Sequence, residues 1–378
     1  MNGPMAMALF LATVISIYLG MQYYVAFWVI RYFPGFPVHP AIIRCAVLLI
    51  ALSSPFSLFW LRRHGGPAAE AFAFAACVWL GVSFVWLVWG LLGDLVWVIA
   101  RIAGTSTSVK RIIGQTVLAV VAALCLYAFW SASRPPELKR IELAVPGLPA
   151  ALDGFSIVQI SDLHLDTTIP LKRLEQAAAM IAAIGPDLIA FTGDIVEPGF
   201  RKKARLKELG SRMRAKYGAV AVLGNHEFYL GTKTAIECHE SLGARLLRDE
   251  VIELPAGIQV AGVDDIRTSR MTREEVRQVL RKLDPDKPSV FLSHQPMMFD
   301  LAAEHGVDLM LSGHTHRGQI FPFHAFVKMS HPYFHGLYHI GDSRLYVTSG
   351  AGHWGPPMRL FAPSEVVHIT LRSKSSRP

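Results

Sequence analysis

Acidic side chains are nearly missing from the first third of this 378-residue chain: residues 1 to 135 hold two, Glu70 and Asp94, against eight Lys and Arg. A water-facing fold surface needs far more charge, so this part is not an ordinary soluble domain. Cysteine is also scarce. Cys45, Cys77 and Cys125 lie in the same acid-poor part and Cys238 alone lies beyond it, which excludes a disulfide scaffold within the second part. No basic stripe with interleaved aromatics occurs. The formal charge of +8 splits into +6 before residue 136 and +2 after it, and most of the excess flanks apolar segments. That suits lipid headgroups and argues against a nucleic-acid partner. Internal repeats and low-complexity tracts are absent, so a solenoid is excluded.

Residues 1–30, 45–61, 71–93 and 112–133 contain no charged side chain. A bilayer span needs about 20 mostly apolar residues, and the pattern predicts four transmembrane helices within 1–135. The second span begins near Ile42 and tolerates Arg44 at an interface. The third apolar stretch continues through Leu95–Ala100, either as one long tilted helix or as a span followed by an interfacial piece. Lacking a basic start, and with too long an apolar run, the N-terminus does not read as a signal peptide. Basic residues divide evenly between the two sides of a four-span topology, so charge does not set the orientation.

After "SRPPELKR", read as a charged linker, the pattern becomes α/β. Strands are expected at 155–160, 187–193, 219–224, 258–263, 289–293, 308–312, 345–349 and 366–371, and helices at 171–184 and 201–216. Such alternation implies a sheet covered on its faces, with the site at the carboxyl ends of strands. The division is 1–135 transmembrane and 136–378 α/β.

Polar fragments stand where those strands end. "SDLH" supplies Asp162 and His164, "TGD" Asp194, "GNHE" Asn225, His226 and Glu227, "SHQP" His294, and "GHTH" His314 and His316. Each fragment alone has a plain structural role, a cap, a turn or a packed histidine. Five in order, all at strand ends, point to one constellation. Mixed oxygen and imidazole donors suit Mn, Fe or Zn, and they are too many for one tetrahedral ion. Two ions about 3.5–4 Å apart, bridged by a carboxylate and a hydroxide, would use them all. Two dications against two carboxylates and a hydroxide leave net positive charge, which suits a phosphoester substrate.

At these residues the chain resembles the calcineurin-like metallophosphoesterase superfamily, in the membrane-attached branch with small bacterial phosphoesterases and animal transmembrane proteins that carry a metallophosphoesterase domain. "GHTHRGQIFP", "GVDD" and "GPPMRLFAP" carry the branch likeness. The resemblance implies a sandwich of two facing sheets flanked by helices. It also implies that Asp162, His164 and His316 hold a first metal, that Asp194 bridges, and that Asn225, His294 and His314 hold a second. His226 would give a proton or hydrogen bond to the leaving group, with Glu227 orienting it.

The expected protein is a membrane-anchored, dinuclear phosphohydrolase on the cytoplasmic face of a bacterial inner membrane, its partners membrane lipids and a phosphoester, lipid-linked in one reading. Two other readings stay open: a membrane scaffold whose phosphoesterase domain does not turn over, and a phosphodiesterase for soluble nucleotides. Arg317 is either a phosphate clamp or a surface residue, and Asp264 and Asp265 either line the pocket or make a turn. His239, His305, His331, His335, His339, His353 and His368 are assigned to packing or surface, and His324 lies in an aromatic segment that either rims the site or is a buried loop.

Overall fold

The computed structural model describes residues 3–64, 66–165, 171–197, 200 and 202–373. Met1, Asn2 and Arg201, which begin expected elements, lie outside them. The chain divides into two compact units, one of Met1–Ser131 with Gly355–Leu360 and one of Ala132–Trp354 with Phe361–Pro378.

The first unit is built on α1 (Gly3–Tyr32), α2 (Pro40–His64), α3 (Pro67–Ile102) and α4 (Thr107–Ser133). Each is long and apolar enough to cross a membrane. The third apolar stretch is one unbroken helix of 36 residues, about 54 Å at 1.5 Å per residue. That exceeds a hydrocarbon core of about 30 Å, so Asp94 in its last third need not sit at mid-bilayer. Apolar side chains such as Ile17, Leu49, Ile99 and Leu126 point outward, while polar groups turn toward one another. Asp94 accepts hydrogen bonds from the hydroxyls of Tyr24 and Tyr32, both at 2.8 Å, and from Arg31 at 3.2 Å. Gln22 donates to Ser83 and accepts from Trp79. Such pairing is what charged and polar groups need in an apolar medium. The hexapeptide Gly355–Leu360 belongs to this unit because the Arg359 N–H donates to the Ala128 carbonyl at 3.0 Å. A Cβ on Gly81 would lie 2.4 Å from Met358 Sδ, so any side chain there would have to push Met358 aside.

The second unit contains, in chain order, β1 (Glu137–Val145), β2 (Ser156–Ile160), α5 (Lys172–Ile184), β3 (Leu188–Phe191), α6 (Lys203–Arg212), β4 (Ala219–Ala221), α7 (Asn225–Leu230), α8 (Thr232–Ser241) and β5 (Ala244–Leu246). There follow β6 (Glu250–Glu253), β7 (Gln259–Gly262), α9 (Arg273–Leu280), β8 (Ser289–Leu292), α10 (Phe299–Glu304), β9 (Leu309–Ser312), α11 (Phe323–Ser330), β10 (Gly336–Ile340), β11 (Ser343–Val347) and β12 (Glu365–Ser373). The strands form two six-stranded sheets, ordered β1-β12-β2-β3-β4-β5 and β10-β11-β9-β8-β7-β6. One expectation is corrected: "SRPPELKR" is not simply a linker, because Glu137–Arg140 pair in register with Glu365–His368 of β12. Its charges misled the reading, since β1 is an edge strand and edges carry charge on their open side.

Alternation along the strands decides the layers. Ile157, Leu188, Ala190, Val220 and Ile369 from one sheet meet Val260, Val290, Leu292, Leu309 and Leu311 from the other in a single inner core. Their neighbours Val158, Ile189 and Phe191 face outward onto Leu174, Ile181, Leu206 and Leu209 of α5 and α6. Likewise Ala261, Phe291 and Met310 face α9 and α10. A two-residue period buried on both faces gives this order of helix, sheet, sheet, helix. Within it β2, β3 and β4 run parallel, as do β7, β8 and β9, so their carboxyl ends open together.

Candidate metal centre

Each strand that ends in a polar fragment delivers it into the same place. Asp162 and His164 follow β2, Asp194 follows β3, Asn225 and His226 open α7 after β4, His294 follows β8, and His314 and His316 follow β9. Five of them, Asp162, His164, Asp194, His314 and His316, have φ between 48° and 70°. Left-handed backbone is uncommon for residues other than glycine, and its clustering here marks strain held in place by surrounding structure. Two glycines make the approach possible. A Cβ on Gly224 would fall 2.2 Å from Asp194 Oδ1, and one on Gly313 would fall 2.1 Å from Ser161 Oγ and 2.2 Å from Asp162 Oδ2.

The donors fall into overlapping groups, and Asp194 stands between them. His164 Nε2 and His316 Nε2 lie 2.9 Å apart, and Asp162 Oδ1 is 3.5 Å from His316 Nε2. On the other side His294 Nε2 is 3.1 Å from Asp194 Oδ2 and 3.3 Å from His314 Nδ1. Asp194 Oδ2 is also 3.8 Å from His164 Nε2, so one carboxylate faces both groups. Among the described residues the groups Asp162–His164–His316, His164–Asp194–His226 and Asp194–His294–His314 each offer three donor atoms within 4.8 Å of one another.

This donor set fits metal. Imidazole nitrogens and carboxylate oxygens crowd within 2.9–3.8 Å of one another in a buried place, an arrangement that needs positive charge there, from protons on the imidazoles or from a cation that displaces them. Asn225 Oδ1 is buried and has no hydrogen-bond partner among the described residues. The outer nitrogens are already engaged: His294 Nδ1 is 2.8 Å from the Thr192 carbonyl, and His164 Nδ1 is 2.5 Å from Glu197 Oε1. Such outer contacts fix the tautomer and aim each Nε2 lone pair inward.

Two carboxylates have roles that the sequence reading assigned otherwise or missed. Glu227 does not orient His226. Fully buried, it accepts the backbone N–H groups of Asp194, Ile195, Val196 and Gly224 at 2.6–3.3 Å and so ties the β3 loop to the β4 loop. The partner of His226 is Glu197, whose Oε1 is 2.7 Å from His226 Nδ1 while also holding His164. Its signal was the spacing Gly-Asp-x-x-Glu, which places a second carboxylate on the Asp194 loop. Asp264 and Asp265 turn out to be structural: Arg248 grips the first, and Gln295 and the Thr268 N–H hold the second. His331, assigned to packing or surface, stands beside the site with its ring 5.2 Å from that of His314. Arg317 is half-buried and follows the same loop.

Charge in the cluster is unevenly spread. Burial disfavours an imidazolium at His164, but Glu197, Asp194 and Asp162 outweigh it and raise its pKa to about 9. Burial alone would raise Asp194; His294, His164 and His226 instead hold its carboxyl well below the usual range. Burial pushes Asp162 up and His314 down. In the ion-free protein His164 therefore carries a proton at neutral pH that a metal must displace. Burial likewise disfavours a charged His294, yet Asp194 and Asp162 hold it well above the ordinary imidazole range. Mn²⁺ binding to the stripped chain at pH 7 should therefore release protons from both His164 and His294, and apparent affinity should climb with pH. Calorimetry in buffers of different ionisation enthalpy measures the release; a pH-independent affinity with none released would contradict it.

Comparisons with known proteins agree with this geometry. The family model described as calcineurin-like phosphoesterase matches residues 155–318. An uncharacterized metallophosphoesterase of Campylobacter jejuni is 30% identical over 299 residues, 77% of this chain and 78% of that protein. A Danio rerio transmembrane protein with metallophosphoesterase domain is 30% identical over 315 residues, 78% of this chain and 71% of its own. An uncharacterized metallophosphoesterase of Aquifex aeolicus is 31% identical over 245 residues, 64% of this chain and 93% of that one.

Proposed function

Because the chain belongs to the calcineurin-like phosphoesterase family and is a metal-dependent hydrolase with membrane-type helices, we propose that it is a membrane-anchored, dinuclear phosphohydrolase that directs water at a phosphoester. Asp162, His164 and His316 would hold one ion, Asn225, His294 and His314 the other, and Asp194 would be shared. When bound, the ions supply Lewis-acid polarisation of the phosphoryl oxygens and make water nucleophilic at neutral pH. The observation that carries this reading is the position of Asp194, whose carboxylate faces both donor groups.

The residues themselves do the rest. Glu197 holds His164 and His226 through their Nδ1 atoms, so the Nε2 of His226 is left to face substrate. Exposed Tyr229 and Trp354 pack on that imidazole, their rings 5.3 and 5.9 Å away, and limit its swing. From there His226 protonates the departing oxygen. Replacing it with Gln should slow an alkyl phosphodiester by about 10²–10⁴-fold, yet cost p-nitrophenyl esters less than about tenfold, because that phenolate leaves unaided. Equal losses on both substrates would remove His226 from the proton path.

The substrate class is a phosphomonoester, phosphodiester or pyrophosphate, and four spanning helices favour a lipid-linked one, since tethering raises its local concentration. Catalysis would lie on the cytoplasmic side of a bacterial inner membrane. The test is incubation of the Mn-loaded full chain with bis-p-nitrophenyl phosphate and with fractionated lipid extract. Release of phosphorylated headgroups supports the whole reading; reaction with soluble esters alone removes the lipid part, and bound metal without any turnover favours a scaffold.

A further inference from the structure

Helix α11 has no buried side chain. Phe323, Phe326 and Met329 recur every third residue along it, and Phe326 and Met329 are 60% and 84% exposed. Phe321 and Phe361, also exposed, stack edge-on at 5.9 Å beside it. Soluble surfaces rarely gather so many large apolar groups, and a patch of this kind marks a binding surface. Its charge is of one sign: between Asp308 and Asp342 the sequence has no acidic residue, while Arg317 and Lys328 are present. Exposed aromatics and a methionine on one side, in a segment with basic residues and no acid of its own, is the pattern of a helix lying in the headgroup layer of an anionic bilayer. The Gln319 side chain, two residues before Phe321, donates to the Trp354 carbonyl and accepts its N–H, both at 2.9 Å, which ties exposed Trp354 to the same segment.

We propose that α11 and the aromatic side chains around it insert into the membrane interface as a second, monotopic attachment, with the bilayer as occupant. Trp354 links this surface to the site, since its ring lies against His226. The attachment would therefore open the site toward the headgroup layer, where a lipid-borne phosphoester lies. Only that consequence rests on the proposed hydrolysis; the insertion itself rests on the surface.

The experiment uses the full chain in vesicles of phosphatidylcholine and phosphatidylglycerol. Cys45→Ser removes the exposed native thiol, and Met329→Cys carries an environment-sensitive fluorophore. Glu240→Cys, on the exposed part of α8, is the reference, and Phe326→Cys replaces the first reporter where labelling at 329 disturbs the thermal melt. The label at 329 should be quenched by lipids brominated high in the acyl chains at least about threefold more than the label at 240, and be less accessible to iodide. Equal iodide access at the two positions overturns the proposal. Shielding from iodide without quenching by brominated lipid overturns it as well, and assigns the surface to a second copy or another protein. Turnover of bis-p-nitrophenyl phosphate by the same samples separates the readings: quenching without turnover keeps the insertion and loses the hydrolysis, while turnover with a solvated label does the reverse.

Discussion

Asp194→Asn should lower kcat on bis-p-nitrophenyl phosphate by at least about 10³-fold, since a shared anionic ligand is worth several kcal/mol of charge stabilisation and each 1.4 kcal/mol is tenfold in rate. The substitution keeps the volume of the side chain and its Oδ1, which accepts the His226 N–H at 2.9 Å. What it removes is the negative charge that faces His294 at 3.1 Å and His164 at 3.8 Å. Fold should survive, because the backbone of this loop is held by Glu227 rather than by the Asp194 side chain. Steady-state kinetics with metal content measured on the same preparation checks the claim. A variant that stays within tenfold of the wild type would show that the carboxylate charge is not shared.

Glu197→Gln should cost about 10²–10³ in kcat/KM, the second-largest effect expected, because one carboxylate serves two imidazoles. Its Oε1 lies 2.5 Å from His164 Nδ1 and 2.7 Å from His226 Nδ1. An amide oxygen can still accept one of these N–H groups, but it offers no charge to either. Burial tends to raise the pKa of Glu197, yet His164 and His226 keep it below the ordinary value, so the residue is ionised at neutral pH. Without that charge His164 loses a reason to hold its proton, and fewer protons should be released when Mn²⁺ binds. The two readouts separate roles. Metal affinity should weaken by about 10–100-fold through His164, and saturating metal should restore only part of the rate because His226 stays misdirected. Full rescue by excess metal would confine the role of Glu197 to His164.

Much of this fold was legible because strand and helix periods were written cleanly where both faces are buried. Phe155–Ile160 and Leu188–Phe191 sit between two layers, so their apolar runs admit few other readings. Four apolar stretches became four helices, each long and apolar enough to cross a bilayer. Elements with one solvated face were missed. Strand β1 reads as charged linker, and β6 and β10 lie at the opposite edges of the second sheet with mixed exposure. The order of polar fragments signalled the site, since ligand types recur at strand ends. The Gly-Asp-x-x-Glu spacing marked Glu197, but its role and the true role of Glu227 were not visible, because both act through contacts to other side chains and to backbone N–H groups, and these depend on how two loops meet. His331 was hidden for the same reason: it shares no spacing with His314 and reaches it only through the loop after α11.

The central claim is a shared cage for two cations. It is tested most directly by elemental analysis of the full chain after stripping and reconstitution with Mn²⁺, run beside Asp194→Asn. The account predicts two ions per wild-type chain, fewer in the variant, and turnover that appears only as the second ion loads. A wild-type chain that binds no ion, or is fully active with one, would contradict it.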